Sequence, residues 1–335
     1  MTITPRVLKE DLSALMKKYT TRNSENPIYD CLYNGLENHS ERIILPYHLS
    51  KEQIEKMVST ASNDPWIFYV NTYECLYSPV CTLVYPDYIF SKQEILDLKS
   101  EINRNVSIIA KNSGNGTDYQ KALMVHDILC SNVKYADDGD MCRHTIVGPI
   151  IERGSVCDGY SKAYKLILDT LGIPCLIVNG TGLSGDSKME TPHSWNLVRL
   201  NGDWRHVDVT YDVRKRWKDD HWYDYFALST DRILRDHNYN ADMYPNANGP
   251  SIDYFVKNGL VMNNTETFRS YILDRIKAGD IVFSIRLPDT VPSDVGESKI
   301  KEIINSIKFR DRKKYSINII SNRKQGVFHF KISET

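Results

Sequence analysis

Long apolar runs are missing from this sequence. No stretch approaches the roughly 18 residues that a membrane-spanning helix needs. The segment MTITPRVLKEDLSALMKKYT has no uninterrupted apolar core of the kind a secretory signal carries. An excess of one charge is also missing. Against 42 Lys+Arg stand 43 Asp+Glu, a formal net charge of −1. That balance gives no support for a nucleic-acid or anionic-membrane partner. There is no CxxC, and the seven cysteines are scattered at 31, 75, 81, 130, 142, 157 and 175. An odd count without a framework predicts reduced thiols and a cytoplasmic protein. No GxGxxG follows a strand and no P-loop occurs, so nothing asks for a nucleotide, and no cofactor is expected. Repeats and low-complexity tracts are absent too.

What remains is an ordinary globular composition, with 25% charged and 10% aromatic residues over 335 positions. At about 100–200 residues per domain, two or three domains fit. Two clusters of turn formers, NSGNGTD (112–118) and NANGP (246–250), punctuate the chain. They divide it into an N-terminal α+β region (1–111), a central unit (112–248) and a small C-terminal α+β domain (249–335). In the first, Ser50 with Gln53 and Ser91 with Glu94 read as capping boxes that open helices. The runs 66–70 and 81–85 read as strands. In the second, Ala122, Val125, Ile128 and Leu129 mark a helix, and 136–149 reads as a polar loop. In the third, a helix up to about 279 precedes a strand at 281–287, a helix at 300–307 and strands at 315–321 and 326–332. The mixed-sign run RKRWKDD (214–220) reads as a solvated loop. The basic KFRDRKKY (308–315) is too short to argue for nucleic acid.

The segment GSVCDGYSKAYKLILDTLGIPC carries consistent helix punctuation. Ser155 is expected as N-cap with Asp158 completing a capping box. Val156, Tyr160, Ala163, Tyr164, Ile167, Leu168 and Leu171 follow 3–4 spacing. Gly172 and Pro174 stop the helix. Cys157 then lies in the first turn, where unpaired N–H groups and the positive end of the helix dipole favour an anionic sulfur. The same N–H groups suit an oxyanion. Gly159 beside it keeps the approach open. Taken alone, Cys157 reads as a small buried apolar group, and only a base nearby changes that balance.

A base lies downstream, in TPHSWNLVRLNGDWRHVDVTYD. Asn201-Gly202 is a type I′ hairpin signal. With a two-residue loop there, paired positions sum to 403. Asp208 then faces Trp195, and His193 and Asp208 become diagonal cross-strand neighbours about 7–8 Å apart at Cβ. A carboxylate so placed can orient an imidazole. A one-residue slip would separate them. His206 alternates with Asp208 on the same strand face. A metal site from His193, His206 and Asp208 is therefore possible in geometry, although the Cys or Glu ligands of a usual zinc set are missing. Cys157, His193 and Asp208 together supply a nucleophile, a general base/acid and an orienting acid.

Three blocks in order, GSVCDGYSKAYKLILDTLGIPCLIVNG, His193-Ser-Trp-Asn and VDVTYD, resemble the transglutaminase-like superfamily of papain-like cysteine enzymes, in particular its bacterial members. The upstream MVHDILCSNVKY resembles the helix that precedes the core there. The likeness covers about 118–230 strongly and 29–117 more weakly. It implies an α+β fold: a papain-like core whose Cys-bearing helix packs on an antiparallel sheet carrying the His and the Asp. It implies that Cys157 is the nucleophile, His193 the general base/acid and Asp208 the orienting acid, with no metal. The Cys157 N–H would be one oxyanion donor. The second would come from an upstream side chain, with His144 and Tyr135 as candidates. Asp158 and Tyr160 would line the groove, although Tyr160 fits the buried stripe of the helix equally well, and Trp195 would pack beside the His. Nothing carries over to His206 or Asp212. The implied activity is acyl transfer or hydrolysis at an amide of a protein or peptide substrate through a thioester. A peptidase and an inactive scaffold of the same fold remain alternatives. Substrate, acceptor and oligomeric state stay open.

Overall fold

The computed structural model describes residues 27–45, 49–77, 81–183, 189–214, 221–278, 282–291, 293–306 and 315–334. The chain opens with helix α1 (Pro27–Glu37), strand β1 (Ile43–Leu45) and helix α2 (Lys51–Ser62). Ser50 and Gln53 form the capping box at the start of α2. Strands β2 (Val70–Tyr77) and β3 (Thr82–Tyr88) complete an antiparallel sheet in the order β1-β3-β2. The run 66–70 is not the strand its residue types suggest. It forms turns, because the Asp64 carboxylate accepts the Trp66 N–H and the Asp64 carbonyl accepts the Ile67 N–H. Consecutive Ile67, Phe68 and Tyr69 are all buried there, which a strand with one wet face does not allow.

Helix α3 (Lys92–Asn112) starts at the Ser91–Glu94 box, and α4 (Asp118–Asn132) starts at a third box, Thr117 with Gln120. The segment expected as one polar loop at 136–149 has structure of its own. It holds a 3₁₀ turn (Met141–His144) and runs into a π turn (Gly148–Glu152), and it buries Ile146, Val147 and Ile150. Those apolar side chains anchor it beside helix α5 (Cys157–Thr170), which follows the short parallel pair β4 (Lys134–Tyr135) and β5 (Gly154–Ser155).

The central sheet has the order β8-β7-β6-β9, with β6 (Cys175–Leu183), β7 (Glu190–Leu200), β8 (Asp203–Val207) and β9 (His237–Asn238). Asn201 and Gly202 turn with φ of 52° and 94°, as a type I′ hairpin requires. The register follows: Leu200 faces Asp203, Val198 faces Arg205 and Asn196 faces Val207. Strand β6 runs to Leu183 and β7 begins at Glu190, so both strands extend into the connection between them. Its residues 184–188, the run 215–220 and residues 308–314 lie outside the described residues.

One cluster of buried apolar residues runs from Ile28 through Tyr164 and Cys175 to Phe226, joining the N-terminal elements to the face of α5. A second surrounds Trp195, Leu197 and Phe226's neighbours Tyr225 and Leu228 on the other side of the sheet. Helices α6 (Val209–Arg214), α7 (Thr230–Ile233) and α8 (Tyr254–Lys257) lead to a separate core around Phe268, Ile285 and Phe330. It is built from α9 (Thr265–Ala278), α10 (Ser293–Ser306) and an antiparallel sheet of β10 (Val282–Arg286), β12 (Val327–Glu334) and β11 (Tyr315–Asn322). The fold class is α+β, as expected. Among the described residues no helix is long and apolar enough to cross a membrane.

Candidate active site

Cys157 is the first residue of α5, and the cap before it differs from the sequence expectation. The N-cap is Val156, which offers no side-chain acceptor. Ser155 sits in β5, and its hydroxyl donates to the Arg143 and Val156 carbonyls. Asp158, offset by one residue from the capping position, turns outward to other partners. The first-turn N–H groups beside Cys157 are thus left without a side-chain cap. Gly159 serves packing rather than access. A Cβ there would meet the Ser155 hydroxyl, the Arg143 carbonyl oxygen at 2.5 Å and the Thr145 carbonyl oxygen at 2.9 Å. A Gly159→Ala chain is expected to lose about 1–3 kcal/mol by overpacking. Denaturant midpoints of the two proteins check this, and an unchanged midpoint would show that the 143–145 segment yields.

The bare Cβ of Gly159 lets that segment lie on α5, and His144 arrives with it. Its Nδ1 is 3.0 Å from Asp158 Oδ2, while Ser194 Oγ donates to Asp158 Oδ1 at 2.7 Å. Burial pushes the Asp158 carboxyl up, but the His144 bond, the Lys162 charge and the Ser194 bond together bring it down to about 2. The same bond raises His144. Asp158 Oδ1 is 4.0 Å from Cys157 Sγ, so a fixed anion borders the thiol. Tyr135 lies half-buried in β4 opposite Ser155. Tyr160 is buried and donates to the Val133 carbonyl at 2.8 Å, so it belongs to the core and not to a groove wall.

His193 stands on β7 opposite Gly180, and the hairpin register brings Asp208 to it from the end of β8. His193 Nε2 is 2.6 Å from Asp208 Oδ2. With Nε2 committed to the carboxylate, Nδ1 is the nitrogen left for the Cys157 thiol, its other hydrogen-bonding neighbour. Burial pulls His193 down, but Asp208 and Cys157 outweigh it and hold the imidazole at about 9. Burial likewise raises Asp208, yet the flanking His193 and His237 hold its carboxyl well below the usual carboxylate range. Trp195 stacks near His193, ring centroids 5.9 Å apart, and Tyr211 covers it at 4.6 Å.

His206 does not join this group. Its Nδ1 accepts from Trp195 Nε1 at 3.1 Å and its Nε2 meets the Tyr239 hydroxyl at 3.2 Å. Burial and the nearby His237 bring it down to about 3, which leaves it neutral. The chain bends from β8 into α6 straight after Val207, so Asp208 diverges from His206 despite their alternation. Asp212 accepts the Tyr225 N–H and pairs with buried His126 Nε2 at 3.1 Å rather than with His193 or His237.

The histidine that does meet Asp208 is one the sequence does not flag, His237. Among the described residues, His193, Asp208 and His237 are close enough to share a metal ion, as are Asp140, Cys142 and Glu152. In the first group Asp208 Oδ2 already accepts from both imidazoles, at 2.6 and 3.0 Å. The second group lies outside the His193–Asp208 cluster, with Glu152 and Asp140 on Arg143.

Comparisons with known proteins find similarity over part of the chain. A profile of the transglutaminase-like superfamily matches residues 107–209. The kyphoscoliosis peptidase of Mus musculus is 25% identical over 126 residues, which is 34% of this chain and 18% of that protein. The chain therefore spans under a fifth of that relative's length. The crystal structure of a TGase is similar at 12% identity with a TM-score of 0.32, over 53% of each chain. A putative cysteine protease from Cytophaga hutchinsonii is similar at 15% identity with a TM-score of 0.26, over 42% of this chain and 61% of that one.

Proposed function

We infer that this chain, which belongs to the transglutaminase-like superfamily, performs cysteine-dependent acyl transfer or hydrolysis on amides of a protein or peptide substrate. The observation that carries this reading is the 2.6 Å His193–Asp208 bond beside a helix-start cysteine. Cys157 Sγ, its proton transferred to His193, attacks the amide carbonyl and forms a C–S bond as the carbonyl π electrons move onto oxygen. The Cys157 N–H and one upstream donor hold the oxyanion, and His144 Nε2 is the nitrogen its bond to Asp158 leaves for that work. His193 gives its proton to the departing nitrogen as the C–N bond breaks, leaving a thioester. An amine or water then attacks the thioester, with His193 taking the proton.

The leaving amine needs His193 protonated. Its value of about 9 lies above its unfolded one, so the proton is present below and lost above. Amide turnover is therefore expected to fall about tenfold per pH unit above this limb. Alkylation of Cys157, which needs no proton donor, should hold or rise there. If both fall together, His193 is not the acid.

Intact-mass analysis with a Gln-containing peptide tests the function itself. A primary amine should add with loss of ammonia, and water alone should give the deamidated peptide. Peptide hydrolysis is the second reading, favoured by the mouse relative's being a peptidase; it yields fragments instead. No mass change with either, and Cys157 labelling by iodoacetamide no faster than Cys31 or Cys81, would overturn the catalytic reading.

A further inference from the structure

Beyond the profile-matched segment 107–209, a buried hydrogen-bond chain leads away from Asp208. His237 Nε2 is 3.0 Å from Asp208 Oδ2, and His237 Nδ1 is 2.7 Å from Asp236 Oδ1. Both ring nitrogens face carboxylates, so both donate, and His237 is an imidazolium between two anions. It is 3% exposed. Asp236 in turn accepts from the Tyr225 hydroxyl at 2.6 Å and from Gln325 Nε2 at 3.3 Å. Gln325 belongs to the turn between β11 and β12 and also donates to the Arg232 carbonyl at 3.1 Å. Asn322, at the end of β11, reaches the Tyr225 hydroxyl at 3.1 Å. The C-terminal sheet thus ends in a turn planted against the network.

We propose that His237 is a positioning residue for Asp208, fixed through Asp236 by Gln325 of the C-terminal hairpin. The inference rests on reading Cys157 as the nucleophile. Asp208 Oδ1 is held by the Tyr211 N–H at 3.1 Å. His237 restrains Oδ2, so the carboxylate has one orientation in which to meet His193. The groups facing His237 are Asp208, Asp236, His193, His206, Tyr211 and Tyr225. The groups alternate in sign from Asp236 through His237 and Asp208 to His193. That alternation is what lets two carboxylates share a dry site. Gly180 makes room for this arrangement, because a Cβ there would strike the Asn238 carbonyl and Trp195. Strand β9 could then not lie on β6 with His237 facing Gly182.

The test is site-resolved iodoacetamide labelling of the full chain near neutral pH. His237→Ala is expected to slow labelling at Cys157 by about 10–100-fold, the usual effect of losing an orienting partner. His237→Gln, which keeps an N–H for Asp208, should recover most of the rate. A role in packing alone would not show that recovery. Gln325→Ala should slow labelling by a smaller factor. Buried Cys130 and Cys175 report folding in the same spectra. If His237→Ala exposes them, Gln325→Ala decides. A slowed Cys157 with both protected supports the proposal, and an unchanged Cys157 overturns it. Wild-type speed in folded His237→Ala overturns this inference alone. A wild type whose Cys157 labels no faster than Cys31 overturns the nucleophile reading and this inference with it.

Discussion

A Cys157→Ala chain is expected to form no thioester and to lose amide turnover by about 10⁴-fold or more. Its folding stability should stay within about 1 kcal/mol of wild type. The asymmetry follows from where the sulfur sits. Cys157 is half-buried at the start of α5, outside the stripe of Tyr160, Ala163, Tyr164 and Ile167 that anchors the helix. Its loss leaves no large cavity and no buried group without its main partner, because Asp208 still holds His193. Single-turnover mass analysis and a denaturant titration measure the two quantities. Turnover that survives the substitution would remove the sulfur from the reaction. A large loss of stability with it would make Cys157 a structural residue.

Asp208→Asn should cost both. Asp208 is 1% exposed and accepts from two imidazoles and the Tyr211 N–H. An amide keeps one acceptor oxygen and turns two donor hydrogens toward groups that also donate. The expected loss is about 10⁴-fold in turnover, the scale for a misoriented imidazole. Breaking a buried ion pair adds about 3–5 kcal/mol of destabilisation. The sign of the pH dependence separates this from a packing defect. Asp208 is depressed in the folded state, so its contribution is complete above the unfolded carboxylate value and lost as pH falls through the folded one. Wild type and variant should therefore converge in stability only in strong acid. A constant difference down to low pH would rule out the ionic account.

The legible parts of this site are those fixed by local rules. The type I′ turn at Asn201-Gly202 sets the register, and the register sets which residues cross from β8 to β7. That is enough to bring Asp208 to His193 by arithmetic. Helix α5 is legible for the same reason, since its 3–4 spacing and Gly172-Ile173-Pro174 stop are short-range. Its cap falls one residue after the expected Ser155, because Ser155 pairs in β5 with β4, a contact that no window around Ser155 contains. The turns at 66–70 mislead in the opposite way. Strand-forming side chains occupy them because the site is buried on all sides. His237 leaves no local signal. It follows Asp236 in LRDHNY, a stretch without periodicity, and its meaning depends on β9 joining the sheet beside β6. The resemblance to known cysteine enzymes has its motifs at Cys157, His193 and Asp208, and it says nothing of His237.

The planted turn at Gln325 has a consequence in time. During synthesis Cys157, His193 and Asp208 all emerge before β11 and β12 exist. A growing chain that has made all three still lacks the Gln325 contact to Asp236. Asp236 can already take the Tyr225 hydroxyl, and the Gln325 bond is added when the β11–β12 hairpin closes. On the proposed reading, Cys157 would gain its full set of supporting contacts only once the C-terminal hairpin is in place.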